Sequence, residues 1–330
     1  MNLYEQQSSN RRRTWLIMFA FVAFLFLLGL GFDAFYLGGV GGNVPIGSLL
    51  ALGVGSVSAV ASYFNGDRAV LLATGATPIA EAAAAATDAD RPKLRQLENV
   101  VDEMAIAAGL PRPRVYIVPD TDPNAFATGR GPGHASIAVT RGLLDALDRE
   151  ELQGVVAHEM SHIRNLDVRV MTIVAALVGA VALLSDWASR GTRFGGGSSG
   201  RSSKRSQGGG AAGLVFFVIW IVAIVLAPFL AQALAMLVSR KREYLADASG
   251  AELTRNPMGL ASALEKLDAA SAPTHAINRG SAHMCITDPL GRQVNLKGDG
   301  FWSNLFASHP PMADRIAALK EMGFQHAPRA

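Results

Sequence analysis

Four uncharged apolar runs stand out along the chain: Trp15 to Phe32, Val44 to Phe64, Val170 to Ser185 and Leu214 to Val238. Runs of this kind, separated by charged stretches, are the pattern of a membrane protein rather than of one large globule. The first two read as a paired anchor. Arg11-Arg12-Arg13 precede the first, and the Gly-rich connection to the second holds Asp33 but no Lys or Arg. The excess of cations on the flanks places the N-terminus and everything after Phe64 on the cytoplasmic side. The second run is rich in Gly, Ala and Ser, which suits close packing against a neighbouring helix. The third run is short for a span and the fourth is long enough, so two to four transmembrane helices are expected. A Gly/Ser/Arg segment, 190–213, joins runs three and four as a low-complexity linker.

Between the runs the periodicity changes. Asn65 to Pro78 reads as a short entry segment. Leu94, Leu97, Val101, Met104 and Ala108 then recur at helical spacing, with Gly109 placed to end the helix. Arg114 to Val118 alternates as a strand, and Asn124 to Gly129 with Ala135 to Thr140 flanks a Gly-Pro turn as a hairpin. Asp148 with Glu151 three residues on is a capping box opening the next helix. The fold expected is α+β and mainly helical, with a small mixed or antiparallel sheet. The organisation is a cytoplasmic N-terminus at 1–14, a two-helix anchor at 15–64, and a soluble-side domain at 65–330 interrupted by segments 170–185 and 214–238.

Half the residues are apolar and the formal charge is only +3, with the basic residues at the edges of the apolar runs. That distribution fits the lipid bilayer as partner and excludes a nucleic-acid surface, which needs a basic face with aromatic platforms. The single cysteine, Cys285, rules out an intrachain disulfide. Nothing in the sequence fixes the oligomeric state.

The chemistry sits in His158-Glu159-Met160-Ser161-His162. Histidines four apart on a helix stack one turn above each other and can share one Zn²⁺, and the glutamate beside the first is placed to take a proton from water. A hydrolytic zinc site needs a third protein ligand, and Glu243 in Arg242-Glu243-Tyr244-Leu245-Ala246-Asp247 is the best candidate. Asp247, one turn further on, is placed to accept the outer N–H of a ligating histidine. If Glu243 and His158 share a metal, the chain between them crosses the bilayer an even number of times, twice or not at all. Asp167, five residues after His162, could support a ligating histidine but reads first as an ordinary capping or surface carboxylate, Tyr244 reads as packing, and His134, His275, His283 and His326 as surface residues. Asn124, Ala125 and Phe126 lie on the strand to which a peptide could add as a further strand.

Four motifs, in order, carry a resemblance over nearly the whole chain. Asn124-Ala125-Phe126-Ala127-Thr128-Gly129, the His158 to His162 element, Arg242 to Ala248, and Ser308-His309-Pro310-Pro311 with Arg315-Ile316 resemble the HtpX heat-shock proteases. These belong with the CAAX prenyl proteases in one family of integral-membrane zinc endopeptidases. The resemblance implies a gluzincin-like site with one Zn²⁺ per chain on His158, His162 and Glu243, and Glu159 as general base. His309 is the implied candidate for stabilising developing charge. It also implies a multi-pass protein of a bacterial inner membrane, its active site facing the cytoplasm, that removes damaged or misfolded membrane proteins. Two other readings are a dedicated processing protease of the prenyl-peptide kind and a non-catalytic membrane adaptor.

Overall fold

A computed structural model describes residues 3–36, 45–178, 240–270, 284–287 and 310–325. The expected linker 190–213, the run 214–238, the residues after 178 in the third run, and His309 lie outside them. Two long helices come first: α1 (Leu3–Tyr36) and α2 (Ile46–Ala73). Both are long and apolar enough to cross a membrane, over Glu5–Gly31 and Ile46–Ala73. Asp33 ties their far ends together by accepting from the backbone N–H groups of Gly47 and Ser48, each at 2.7 Å, and from the Ser48 hydroxyl. That carboxylate satisfies N–H groups that a helix start leaves open. Gly29 marks the contact: a Cβ there would meet the Gly47 carbonyl oxygen at 2.6 Å, so only glycine lets the two backbones approach so closely.

The expected entry segment after Phe64 is instead continuous helix to Ala73. Its last turns are not loop-like because Val70 and Leu71 are buried against Val118, Phe126 and Ala138 of the sheet. A two-residue strand, β1 (Thr77–Pro78), follows, then the short α3 (Ile79–Ala85) and α4 (Arg91–Ala108). Gly109 closes α4 in the left-handed conformation at φ 64°, as its position predicted. The sheet continues with β2 (Arg114–Val118), β3 (Ala125–Gly129) and β4 (Ala135–Thr140), in the order β1-β2-β4-β3. β2 and β4 run parallel while β1 and β3 pair antiparallel, so the sheet is mixed and β3 is an edge strand.

After the short α5 (Arg141–Ala146) comes α6 (Arg149–Arg164), the helix that carries the His-Glu pentapeptide. The capping box is present, with Asp148 accepting from the Glu151 N–H and Glu151 returning a bond to the Asp148 N–H. Glu151 also receives Lys266 Nζ and Ser262 Oγ, both at 2.6 Å, from α9 (Pro257–Ala269). A helix over residues 167–178, α7, follows α6 after a two-residue turn. Leu166 turns the chain at φ 61°, a left-handed conformation that costs a branched side chain about 1–2 kcal/mol. The start of α7 is thereby folded back towards the end of α6. Two further helices among the described residues are α8 (Arg240–Thr254) and α10 (Met312–Gln325).

The main core lies between the sheet, α4, α6 and α9, with Leu97, Val100, Val101, Ile137, Leu143, Val155, Val156, Leu260 and Leu264 fully buried. At about 1.5–3 kcal/mol for each large aliphatic side chain, this apolar packing anchors α6. A separate cluster joins Ile17, Met18 and Phe21 of α1 to Val170, Ile173, Val174 and Leu177 of α7. The part of the third apolar run that is described is thus held against the first membrane helix.

Candidate metal centre

His158 and His162 project from α6, where four-residue spacing stacks them on one face. Glu243, one turn into α8, meets them from the opposite side, and one donor atom from each of the three lies within 4.8 Å of the others. All three side chains are buried. Asp247, one turn further along α8, places Oδ1 2.9 Å from His158 Nδ1. Asp167, the first residue of α7, places Oδ2 3.3 Å from His162 Nδ1. A carboxylate accepts only from an N–H, so the Asp167 contact keeps a proton on His162 Nδ1, the Asp247 charge favours one on His158 Nδ1, and the two Nε2 atoms turn towards each other.

Those two Nε2 atoms are 3.2 Å apart, with the rings 85° to one another. Glu243 oxygens lie 3.7 Å from His158 Nε2 and 3.6 Å from His162 Nε2. Ligand atoms bonded to one tetrahedral zinc at about 2.0–2.1 Å sit roughly 3.3–3.4 Å from each other. The Nε2 atoms stand close to that separation and each faces a different Glu243 oxygen, so the carboxylate straddles the pair and the donor set fits a small divalent metal. Two imidazole nitrogens and one carboxylate oxygen form a set that zinc and other first-row divalent ions accept, and they leave a position open for water.

Glu159 follows His158 on α6 and is buried beside the cluster. The Ala127 backbone N–H of β3 donates to its carboxylate, while Oε1 has no hydrogen-bond partner among the described residues. Burial raises its pKa to about 7, with the Glu243 carboxylate adding to the rise and His162, the Ala127 N–H and Arg315 opposing it. Burial works against a cation at His162, but the Asp167 hydrogen bond and the Glu243, Asp167 and Glu159 carboxylates outweigh it and push its pKa up to about 9. At His158 burial dominates and lowers the value. Burial opposes the Asp247 carboxylate, yet Arg315 and His158 hold its pKa below the usual range.

Three residues around the centre had no role assigned from the sequence. Arg315, fully buried on α10, makes a two-pronged pair with Asp247 at 2.8 Å and 2.7 Å and reaches 3.6 Å from Glu243 Oε2. Arg242, beside Glu243, lies 3.4 Å from Asp167 Oδ1. Asn10, from the start of α1, donates to that same oxygen at 2.8 Å. Asp167 itself corrects the sequence reading: it is no surface or capping carboxylate but fully buried and shared by His162, Asn10 and Arg242. Tyr244, next to Glu243 on α8, is 37 % exposed. His134 is exposed, as expected.

Asn124, Ala125 and Phe126 are buried at the edge of the sheet. That edge carries a segment of the chain itself: Cys285 bridges Phe126, the Ile286 N–H donates to the Ala125 carbonyl at 3.0 Å, and Asn124 Nδ2 donates to the Thr287 carbonyl at 3.2 Å. Arg315 Nη1 holds the Ile286 carbonyl at 2.9 Å, joining this strap to the metal centre's own network.

Residues 92–323 match the model of peptidase family M48. A protease HtpX homolog of Caldanaerobacter subterraneus subsp. tengcongensis is 40% identical over 320 residues, covering 97% of this chain and 98% of its own. Similar relatives are the protease HtpX homologs of Streptococcus gordonii, 40% identical over 321 residues, and Lactobacillus helveticus, 42% identical over 322, each covering 97% of this chain and 100% of the relative. Among solved structures, the crystal structure of S. mikatae Ste24p is similar with 17% identity and a TM-score of 0.45, over 96% of this chain and 67% of that one.

Proposed function

Because the chain belongs to peptidase family M48 and is an HtpX-type membrane metallopeptidase, we propose that it is a zinc-dependent endopeptidase of a bacterial inner membrane, its site facing the cytoplasm, that cleaves damaged or misfolded membrane proteins. The observation that carries this reading is the meeting of His158, His162 and Glu243 in one buried cluster with Glu159 beside it. These three residues would hold one Zn²⁺ per chain. Bound there, zinc supplies a Lewis acid and lowers the pKa of water towards about 7.

The protein's own work is proton transfer and positioning. With one Glu159 oxygen engaged by Ala127, Oε1 takes the proton of the water that adds to the scissile carbonyl carbon. The same oxygen then delivers that proton to the amine nitrogen as the C–N bond breaks. A pKa near 7 suits both halves of this cycle. Asp247 and Asp167 hold the imidazoles in the required tautomer. His309 precedes the Pro310-Pro311 turn into α10, whose Arg315 already touches Asp247, and it is the proposed donor to the carbonyl oxygen as that gains charge.

Asn124, Ala125 and Phe126 form the proposed peptide-binding edge. A substrate strand there exchanges with Met284–Thr287, which now occupies it. Membrane-protein substrates are favoured by position: Asn10 and Asp167, both within the metal centre, stand a few residues before the apolar stretches of α1 and α7.

The test is cleavage of unfolded casein by detergent-solubilised protein prepared under chelation, with zinc restored, for wild type and Glu159→Gln. Zinc-dependent cleavage abolished in the variant, with zinc still bound, is the expected result. Zinc bound by both proteins without cleavage by either refutes the broad endopeptidase reading in favour of the adaptor or the narrow processing enzyme.

A further inference from the structure

The polar stripe at the start of α1 is part of the metal centre. Gln6, Asn10 and Thr14 recur every fourth residue and are buried, while Arg11, Arg12 and Arg13 beside them are exposed. The stripe runs directly into Ile17, Met18 and Phe21, which pack on α7. One continuous face of the first membrane helix therefore docks on the turn between α6 and α7 and on α7 itself. The amide of Asn10 makes the central contacts. Its Nδ2 donates to Asp167 Oδ1 at 2.8 Å and to the Asn165 carbonyl at 2.9 Å, and Arg242 approaches its Oδ1 at 3.5 Å.

Each of these partners bears on a metal-facing residue. Asp167 uses its other oxygen for His162 Nδ1. Asn165 belongs to the strained turn that swings Asp167 back to that histidine. Arg242 adjoins Glu243 in the chain. A buried carboxylate that must face an imidazole needs its second oxygen held, or it rotates freely about its own bond. Asn10 shares that hold with Arg242, which lies 3.4 Å from the same oxygen, and makes the shorter bond at 2.8 Å with a neutral donor.

We propose that Asn10 is a positioning residue for the metal centre, acting through Asp167 on His162, so that the first membrane helix is a component of the site and not only its tether. This rests on the reading of His158, His162 and Glu243 as metal ligands.

The experiment uses the full chain in detergent and two probes: Zn²⁺ affinity against a competing chelator, and the visible absorption of the Co²⁺-substituted protein, which reports ligand geometry. Asn10→Ala removes both amide bonds. Asn10→Leu matches the amide in heavy atoms, adds no charge and removes the donors without opening a cavity. Gln7→Ala is the control, because it loosens the same helix by removing a 2.8 Å bond from Gln7 Nε2 to the Arg164 carbonyl without touching Asp167. His162→Ala tests the underlying assignment.

Both Asn10 variants are expected to bind zinc about three- to tenfold more weakly, less than the 10–100-fold typical of a direct carboxylate partner, with a changed cobalt spectrum. Gln7→Ala should match the wild type in both. Wild-type affinity and spectrum in either folded Asn10 variant, or an equal loss in Gln7→Ala, overturns the proposal while leaving the ligand assignment intact. Undiminished zinc binding in His162→Ala overturns the ligand assignment itself, and this inference with it.

Discussion

Replacing Asp247 and Arg315, singly and together, separates what their pairing does for the fold from what Asp247 does for the metal. Asp247→Leu has two consequences. It removes the acceptor 2.9 Å from His158 Nδ1. Losing such an outer partner weakens metal binding about 10–100-fold, roughly 1.4–2.7 kcal/mol. It also strands Arg315, whose guanidinium is fully buried and directs two of its bonds to Asp247. An uncompensated buried charge costs about 3–5 kcal/mol. Arg315→Met strands Asp247 instead, at a similar cost in stability, but leaves the carboxylate facing His158, so most of the zinc affinity should survive. The double variant Asp247→Leu/Arg315→Met removes both charges and puts apolar groups of similar volume in their place, which is commonly neutral. Thermal unfolding under chelation should then recover most of what either single variant loses, short of the bond to the Ile286 carbonyl. Zinc affinity, measured by chelator competition, should remain as low as in Asp247→Leu. A double variant that regains zinc affinity together with thermal stability would refute the claim that Asp247 orients His158. One no more stable than the single variants would refute the buried-pair energetics.

The proton held by His162 sets a pH dependence. A pKa of about 9 means that metal entry displaces a proton below that value, so zinc affinity should rise about tenfold per pH unit up to about pH 9 and then level off. Isothermal titration in two buffers of different ionisation enthalpy reads the released proton, and a flat profile with no release rejects the assignment. The same raised value stabilises the metal-free fold fully below 6.5 and is lost as pH rises through about 9, so chelated protein should melt lower at high pH. Gly250→Ala on α8 places a Cβ 3.1 Å from the His158 backbone N and 3.3 Å from its Cα. Gain in helix propensity of about 1 kcal/mol offsets that crowding, so the melting temperature should hold while kcat/KM falls roughly three- to tenfold through displacement of Glu243 and Asp247; unchanged kinetics would show that the helix spacing is not critical. Cys285, the chain's single thiol, is buried on the strap against β3. A maleimide should label it slowly in the resting protein and faster when a peptide substrate is bound to Glu159→Gln, and equal rates would exclude exchange at that edge.

What could be read from the sequence follows the range over which each signal acts. The strand Arg114 to Val118, the Asp148 capping box and the Gly109 helix end all depend on neighbours within a turn or two, and they appear at the expected residues. The pairing of His158 with His162 is equally local. Glu243 needed a motif in place of spacing, since about eighty residues separate it from His162 in the chain. Asp167 differs from its first reading because its partners Asn10 and Arg242 lie 157 residues before it and 75 after it and meet it only through tertiary packing. A usable signal did exist for Asn10. Gln6, Asn10 and Thr14 continue the helical spacing of Ile17 and Phe21 backwards from the membrane, and a polar stripe in phase with an apolar one marks a buried face. Arg315 stood in a quoted motif, but no local pattern distinguishes a buried guanidinium from one in water.

Charge explains why so many polar groups can be packed out of water here. Among the described residues the centre gathers four carboxylates, Glu159, Asp167, Glu243 and Asp247, against two guanidiniums, Arg242 and Arg315. Neutral imidazoles add nothing, so two negative charges remain in excess. Burying such an excess is prohibitive unless cations or protons cancel it. In the metal-free protein the groups that face inward respond in that direction, His162 holding a proton to about pH 9 and Glu159 to about 7. A divalent ion held by His158, His162 and Glu243 would supply the same two charges and take the place of the His162 proton, freeing that nitrogen as a ligand. Asn10 fits this balance as well. An aspartate there would add a third excess charge and a lysine would cancel one that the metal needs, whereas an amide fixes Asp167 without altering the count.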